Sequence, residues 1–249
     1  QGNGTAASGF SHGIEVSNGS QILAGGTENL QIEGTACASC GGVGNVGVNV
    51  ENGSATIHAS GALTVTGNGG GAAASNGNMG IQLTNTASIR TTGDGDLSVM
   101  GVAGLGSGGN QRGVQINSGC SISSLGSGNT TVKGTGRESV GSFNVGVYVA
   151  GLISSANGLV TVTGFGGGIG AANNNYGVAV IQSGGVPAQI WSGGIGVNVV
   201  GNGAYDATGS NNHGIYVSGS LSFISTQNGD IQVNGKGGGA GISGLNTGV

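Results

Sequence analysis

Few residues in this sequence are placed for chemistry, and the sharpest local grouping is Cys37-Ala38-Ser39-Cys40. A zinc ribbon needs a second cysteine pair at ligand spacing, and only Cys120 remains. A thioredoxin-like dithiol needs a βαβ frame, which the sequence does not predict. Two readings stay open, a local disulfide and a pair of free thiols. Cys120 reads as a small buried or turn residue. Asp94-Gly95-Asp96 invites calcium, yet other copies of the surrounding repeat carry Asn29, Ala62, Asn129 and Gly196 in the place of Asp96. One or two acids do not supply the six to eight oxygens that calcium takes.

His12, His58 and His213 are scattered, with His12 and His213 in equivalent positions six repeats apart. Glu15 and Glu51 are read as one outward column with the neutral Gln82 and Gln115, and no second acidic column faces it. Glycoside hydrolysis needs two flanking carboxylates, and no nucleophile elbow or Ser-His-acid grouping accompanies the many serines. The expected inventory is therefore no catalytic residue, no cofactor-binding residue and no metal ligand.

The elements that would position these residues belong to an array. A Gly followed by apolar-x-apolar recurs at Gly13-Ile14-Glu15-Val16, Gly47-Val48-Asn49-Val50, Gly80-Ile81-Gln82-Leu83, Gly113-Val114-Gln115-Ile116, Gly146-Val147-Tyr148-Val149, Gly177-Val178-Ala179-Val180 and Gly214-Ile215-Tyr216-Val217, and begins again at Gly248-Val249. Successive opening glycines stand 34, 33, 33, 33, 31, 37 and 34 residues apart. A fixed period of this size marks a quasi-one-dimensional stack.

Each copy then carries a lone Ile: Ile22, Ile57, Ile89, Ile122, Ile153, Ile190 or Ile224. An alternating run follows, such as Leu63-Thr64-Val65 or Val160-Thr161-Val162, closed by Gly34, Gly67, Gly101, Gly134, Gly164, Gly201 or Gly235. Alternation of apolar and polar residues is a strand signal, and nothing has a helical period. Three short strands repeating in register predict an all-β parallel β-helix of about seven coils, each strand pairing with its copy ~4.8 Å away. Of 35 inward positions so defined, only Thr130 is not apolar. Residues 1–249 read as one continuous solenoid, part of a longer array.

Two residues before the opening glycines stand Ser11, Asn45, Asn78, Gln111, Asn144, Asn175, Asn212 and Asn246, a column predicted to form an amide ladder. Gly61, Gly95, Gly128, Gly158 and Gly229 precede closing strands, where a left-handed backbone is predicted. About 13 residues link each closing glycine to the next opening one, predicting a lateral loop or a flat fourth side. The sixth copy is longer, and its insert, with Pro187 and Trp191, is expected to bulge outward.

Composition agrees. With 61 Gly, one Pro and 36% apolar residues in 249, a turn-rich ordered fold is favoured over disorder. Five Lys+Arg against nine Asp+Glu leave no basic face for nucleic acid, and no apolar run is long enough for a membrane helix. Asn3, Asn18, Asn52 and Asn129 open Asn-x-Ser/Thr triplets, which chance explains in such a composition. Thr64-Val65-Thr66 and Thr161-Val162-Thr163 resemble the Thr arrays of ice-binding solenoids. Ser98-Val99-Met100 and Thr131-Val132-Lys133 interrupt them, so the Thr residues are read as ordinary strand surface.

Opening motifs such as Gly47-Val48-Asn49-Val50, lone isoleucines, and Leu63-Thr64-Val65-Thr66-Gly67-Asn68-Gly69-Gly70 together resemble the repeat regions of very large bacterial haemagglutinin- or autotransporter-like adhesins. That resemblance implies a secreted right-handed β-helix forming a stalk or fibre. The coil here is longer than in filamentous haemagglutinin by its 13-residue segment. The leading functional expectation is a non-catalytic extracellular or cell-surface filament. Its coils would stack on further coils of the same chain or of identical subunits head to tail. The alternatives are an adhesin or phage-fibre shaft whose Tyr148, Tyr176, Tyr216 and Trp191 contact cell-surface glycans, and a polysaccharide-active enzyme.

Overall fold

The computed structural model describes residues 10–72, 75–241 and 244–249. Those residues form no helix and build a parallel β-solenoid of three seven-stranded sheets, each sheet taking one strand from every coil. The opening strands are His12–Ser17, Val46–Glu51, Ile81–Thr84, Val114–Ile116, Val147–Val149, Val178–Ile181 and Ile215–Ser218. The middle strands, from Gln21–Ala24 to Ser222–Thr226, carry the lone isoleucines, and the closing strands run from Leu30–Thr35 to Asp230–Lys236. Register is that of the repeat: Val114 pairs with Ile81 and Val147, Ile122 with Ile89 and Ile153, Val132 with Val99 and Val162.

Like residues therefore stack, and one apolar core runs along the axis. The lone isoleucines from Ile57 to Ile190 are fully buried, each worth about 1.5–3 kcal/mol relative to exposure. Thr130 is accommodated because its hydroxyl donates to the Ser154 carbonyl at 2.8 Å. The inward columns are less buried in the first and last coils. Ile14, Ile22 and Leu30 are half-buried in the first coil, while Val217 and Ile231 are 41% and 47% exposed in the seventh. A stacked coil covers its apolar edge only against a neighbour.

Two glycine columns have a reason beyond turn formation. The closing glycine of each coil lies against the opening glycine of the next, as Gly134 does against Gly146, where a Cβ would overlap the carbonyl oxygen. The closing and opening sheets thus meet backbone to backbone along a seam. The glycines before the closing strands correct an expectation: Gly95 and Gly128 do not have positive φ. They are required because a Cβ would collide with the backbone one coil below, at Gly61 and Gly95 respectively. Gly229 does combine both demands, with φ of 81°.

The long segment is an ordered fourth side. Its backbone bonds coil to coil, for example Gly71 N–H to the Cys37 carbonyl at 2.8 Å and Gly167 N–H to the Asn144 carbonyl at 2.8 Å. In the sixth coil the insert turns at Gly184-Gly185 between bridged Ser183 and Val186. Trp191 is not part of that bulge; it lies in the middle strand Ala188–Ser192.

Candidate functional site

The amide column is a buried ladder. Asn45 N–H donates to Asn78 Oδ1 at 3.2 Å, Asn78 N–H to Gln111 Oε1 at 3.0 Å and Gln111 N–H to Asn144 Oδ1 at 3.0 Å. The series continues through Asn175 and Asn212 to Asn246. Most amide nitrogens reach the fourth side, as Asn144 Nδ2 reaches Ser139 Oγ at 3.0 Å and the Gly141 carbonyl at 2.6 Å. Asn45 and Asn175 Nδ2 donate along the ladder, to Asn78 and Asn212 Oδ1. Each ladder residue from Asn45 to Asn212 thus ties one coil to the next, and all of these except Asn175 also fasten their own loop. The residue before it has positive φ in every described copy from Gly44 to Leu245: Gly44, Gly77, Asn110, Phe143, Asn174, Asn211 and Leu245.

The cysteines resolve into a Cys37–Cys40 disulfide on the fourth side, with Cα atoms 5.5 Å apart, and a buried free Cys120 whose thiol is pushed up by burial. Asp96 is a corner residue that accepts the Asn129 N–H at 2.8 Å, as Asn29 and Asn129 accept from Ala62 and Leu159. Asp94 accepts the Ser127 N–H, which lowers its pKa. Both acids are thus engaged with backbone. Among the described residues, no three His, Cys, Asp or Glu side chains are grouped to hold a metal.

Glu15 and Glu51 do not share a column. Glu15 pairs in register with Asn49, whereas Glu51 lies between Ser17 and Thr84, two residues further along the strand. Both line a cleft of about 700 Å³ with Phe10, His12 and Asn49, and His12 Nδ1 lies 3.2 Å from Glu15 Oε2. Outward-facing side chains of a sheet are ordinarily exposed. Glu15 is, but Asn49, Gln115 and Ala179 are buried. Gln115 is held by Arg112 and Asn117, and Ala179 packs against Val145 and Tyr176. Val145, Tyr176 and Ala179 form a small apolar cluster, backed by Tyr148, Ile181 and Tyr216.

The tyrosines named as candidate contacts are therefore largely committed to each other. Tyr176 stacks on Tyr216 with centroids 4.9 Å apart and on His213 at 5.6 Å. Burial, and then the neighbouring Tyr216, push the Tyr176 phenol up to about 12. Arg112 lies over the Tyr148 ring at 4.3 Å and donates to Gln115 and Asn110.

The outer face of the middle sheet is different in kind. Its side chains alternate away from the isoleucines in two columns, one running Gln21, Thr56, Ser88, Ser121, Leu152 and the other Leu23, His58, Arg90, Ser123, Ser154, Trp191. A groove of about 580 Å³ is lined by both columns and carries no acidic residue. Periodicity marks these positions only as outward. It is silent on the concavity that shelters them. No protein-family model, no curated protein and no solved structure matches the chain.

Proposed function

We propose that this chain is a segment of a non-catalytic extracellular filament or stalk, in which the coil stack continues onto further coils of the same kind. The observation that carries this reading is the unbroken register of the stack. The inward columns stay in register through all seven coils, and apolar side chains such as Val217 and Ile231 emerge at the last one. Strand edges with free backbone groups are templates for pairing, and a head-to-tail contact of this kind propagates into an open fibre. The Cys37–Cys40 disulfide favours an oxidising compartment, consistent with surface or secreted use.

Sedimentation velocity and electron microscopy of the chain and of a Val217→Lys/Ile231→Lys variant test the reading. The expected result is concentration-dependent end-to-end association in the parent, abolished in the variant. A parent that stays monomeric at every concentration overturns it.

A further inference from the structure

We infer that the groove on the outer face of the middle sheet binds an acidic saccharide. In this assignment the Arg90 guanidinium pairs with a uronate carboxylate or a sulfate ester, and the surrounding hydroxyls take up the sugar hydroxyl groups. Side chains on the outward face of a sheet are ordinarily exposed, yet here Thr56, Ser88, Ser123 and Ser154 are each 9% exposed or less. The face is therefore concave. It spans five coils, from Gln21 in the first to Ser154 in the fifth, roughly 19 Å at the strand spacing. That volume and length suit a short run of sugar rings.

Ser54 and Thr86 of the groove lining bond to each other, whereas two other polar atoms of the groove have no partner within the chain. Thr56 Oγ1 and Arg90 Nε are buried without a hydrogen bond, and the ring nitrogens of His58, next to Arg90 in its column but outside the groove lining, are in the same state. Buried polar atoms of native proteins are nearly always paired, so unpaired ones beside the groove are unusual. Arg90 faces no carboxylate, since the one ion pair among the described residues joins His12 to Glu15. The fork geometry of a guanidinium suits a planar or tetrahedral oxyanion.

Hydroxyls both donate and accept, which complements a ligand that is itself polyhydroxylated. One cation without a charged stripe makes a single phosphate contact and does not hold a nucleic acid. Trp191 follows Ser154 in the same outward column and offers a ring to the apolar face of a sugar at that end. The groove lies on the side of the solenoid, so end-to-end stacking leaves it open, and the inference does not depend on the filament reading.

Isothermal titration calorimetry on the whole chain tests it, with four probes: an oligogalacturonate, a sulfated oligosaccharide of equal length, a neutral one, and sodium sulfate. At least one acidic oligosaccharide is expected to bind tenfold or more tightly than the neutral one and than sulfate, and which of the two does so identifies the oxyanion. Raising salt from about 20 to 200 mM weakens that binding. Arg90→Gln lowers the affinity tenfold or more, Arg90→Lys by less, and Lys133→Gln on the closing sheet leaves it unchanged.

Ser123→Leu, which fills the groove without altering charge, gives the same loss as Arg90→Gln and serves if that variant is misfolded by circular dichroism. Repeating the titration with Val217→Lys/Ile231→Lys separates binding from stacking, and unchanged affinity is expected. Equal affinity for the neutral sugar, binding of sulfate alone as tightly, no binding of either acidic probe, or full affinity in both groove variants would each overturn the assignment.

Discussion

Two corners border the opening sheet, and they tolerate sequence very differently. At the seam between closing and opening strands, every described copy carries glycine on both sides, from Gly34 against Gly47 to Gly235 against Gly248. At the other corner, just before the amide ladder, the chain turns through the left-handed region with φ between 53° and 69°, yet the residues are Gly, Asn, Phe and Leu. The first corner is a collision between two backbones in different coils, which no rotamer change relieves. The second is a local preference costing a non-glycine residue about 1–2 kcal/mol. Ladder and loop hydrogen bonds offset that cost. Identity is held where backbones meet and drifts where only a dihedral is strained.

The largest effect is expected at the seam. Gly164→Val should prevent assembly of the stack, since its side chain would enter the Gly177 carbonyl and the Val178 side chain. Loss of the β signal in circular dichroism and of soluble yield would check this. Next comes the ladder. Asn144→Ala removes the acceptor for Gln111 N–H and two bonds to the fourth side, at a cost of about 1–3 kcal/mol read from the denaturation midpoint. Asn144→Gln should cost less, because Gln111 already fills a rung.

Phe143→Gly should do the reverse and stabilise by about 1 kcal/mol, because φ of 63° suits glycine and the ring is 44% exposed. A loss of stability there would sharpen the contrast in the opposite direction, by showing that the ring packs usefully. The last effect is confined to alkaline pH. Tyr176 keeps its proton to about pH 12 in the folded chain against an ordinary value of 10, so its contribution is intact below pH 10 and is lost as pH rises through 12. Tyr176→Phe should flatten the fall in stability across that window in a pH series of thermal melts.

Much of this was legible in the residues. Alternation placed Val48, Val50, Ile57, Leu63 and Val65 inside, and the Asn column announced the ladder, because both signals recur within one repeat. The seam was not legible, since Gly134 and Gly146 are separated by the long fourth-side segment and meet only once it is folded. Spacing showed that glycines recur but not that they touch. The left-handed column was missed because Gly77, Asn110 and Phe143 share no side-chain property. Burial of Gln115 and Ala179 depends on Arg112, Asn117, Val145 and Tyr176, which lie outside the alternating strands. The groove around Arg90 is lined in part by the turn residues Ser54, Thr86 and Leu125, whose placement alternation does not encode.

Gly134→Ala and Gly77→Ala, compared in one urea denaturation series, test the central claim most directly. Gly77 has φ of 65°, and a Cβ there would find its nearest atom, Gly44 N, at 3.8 Å. Its replacement should cost about 1–2 kcal/mol of local strain. Gly134 has no such φ but abuts the Gly146 carbonyl, so its replacement forces two coils apart and should cost about 3 kcal/mol or more. The predicted result is a midpoint lowered at least twice as far by Gly134→Ala. Equal midpoints, or a larger loss at Gly77, would contradict a solenoid whose seam is held by backbone contact.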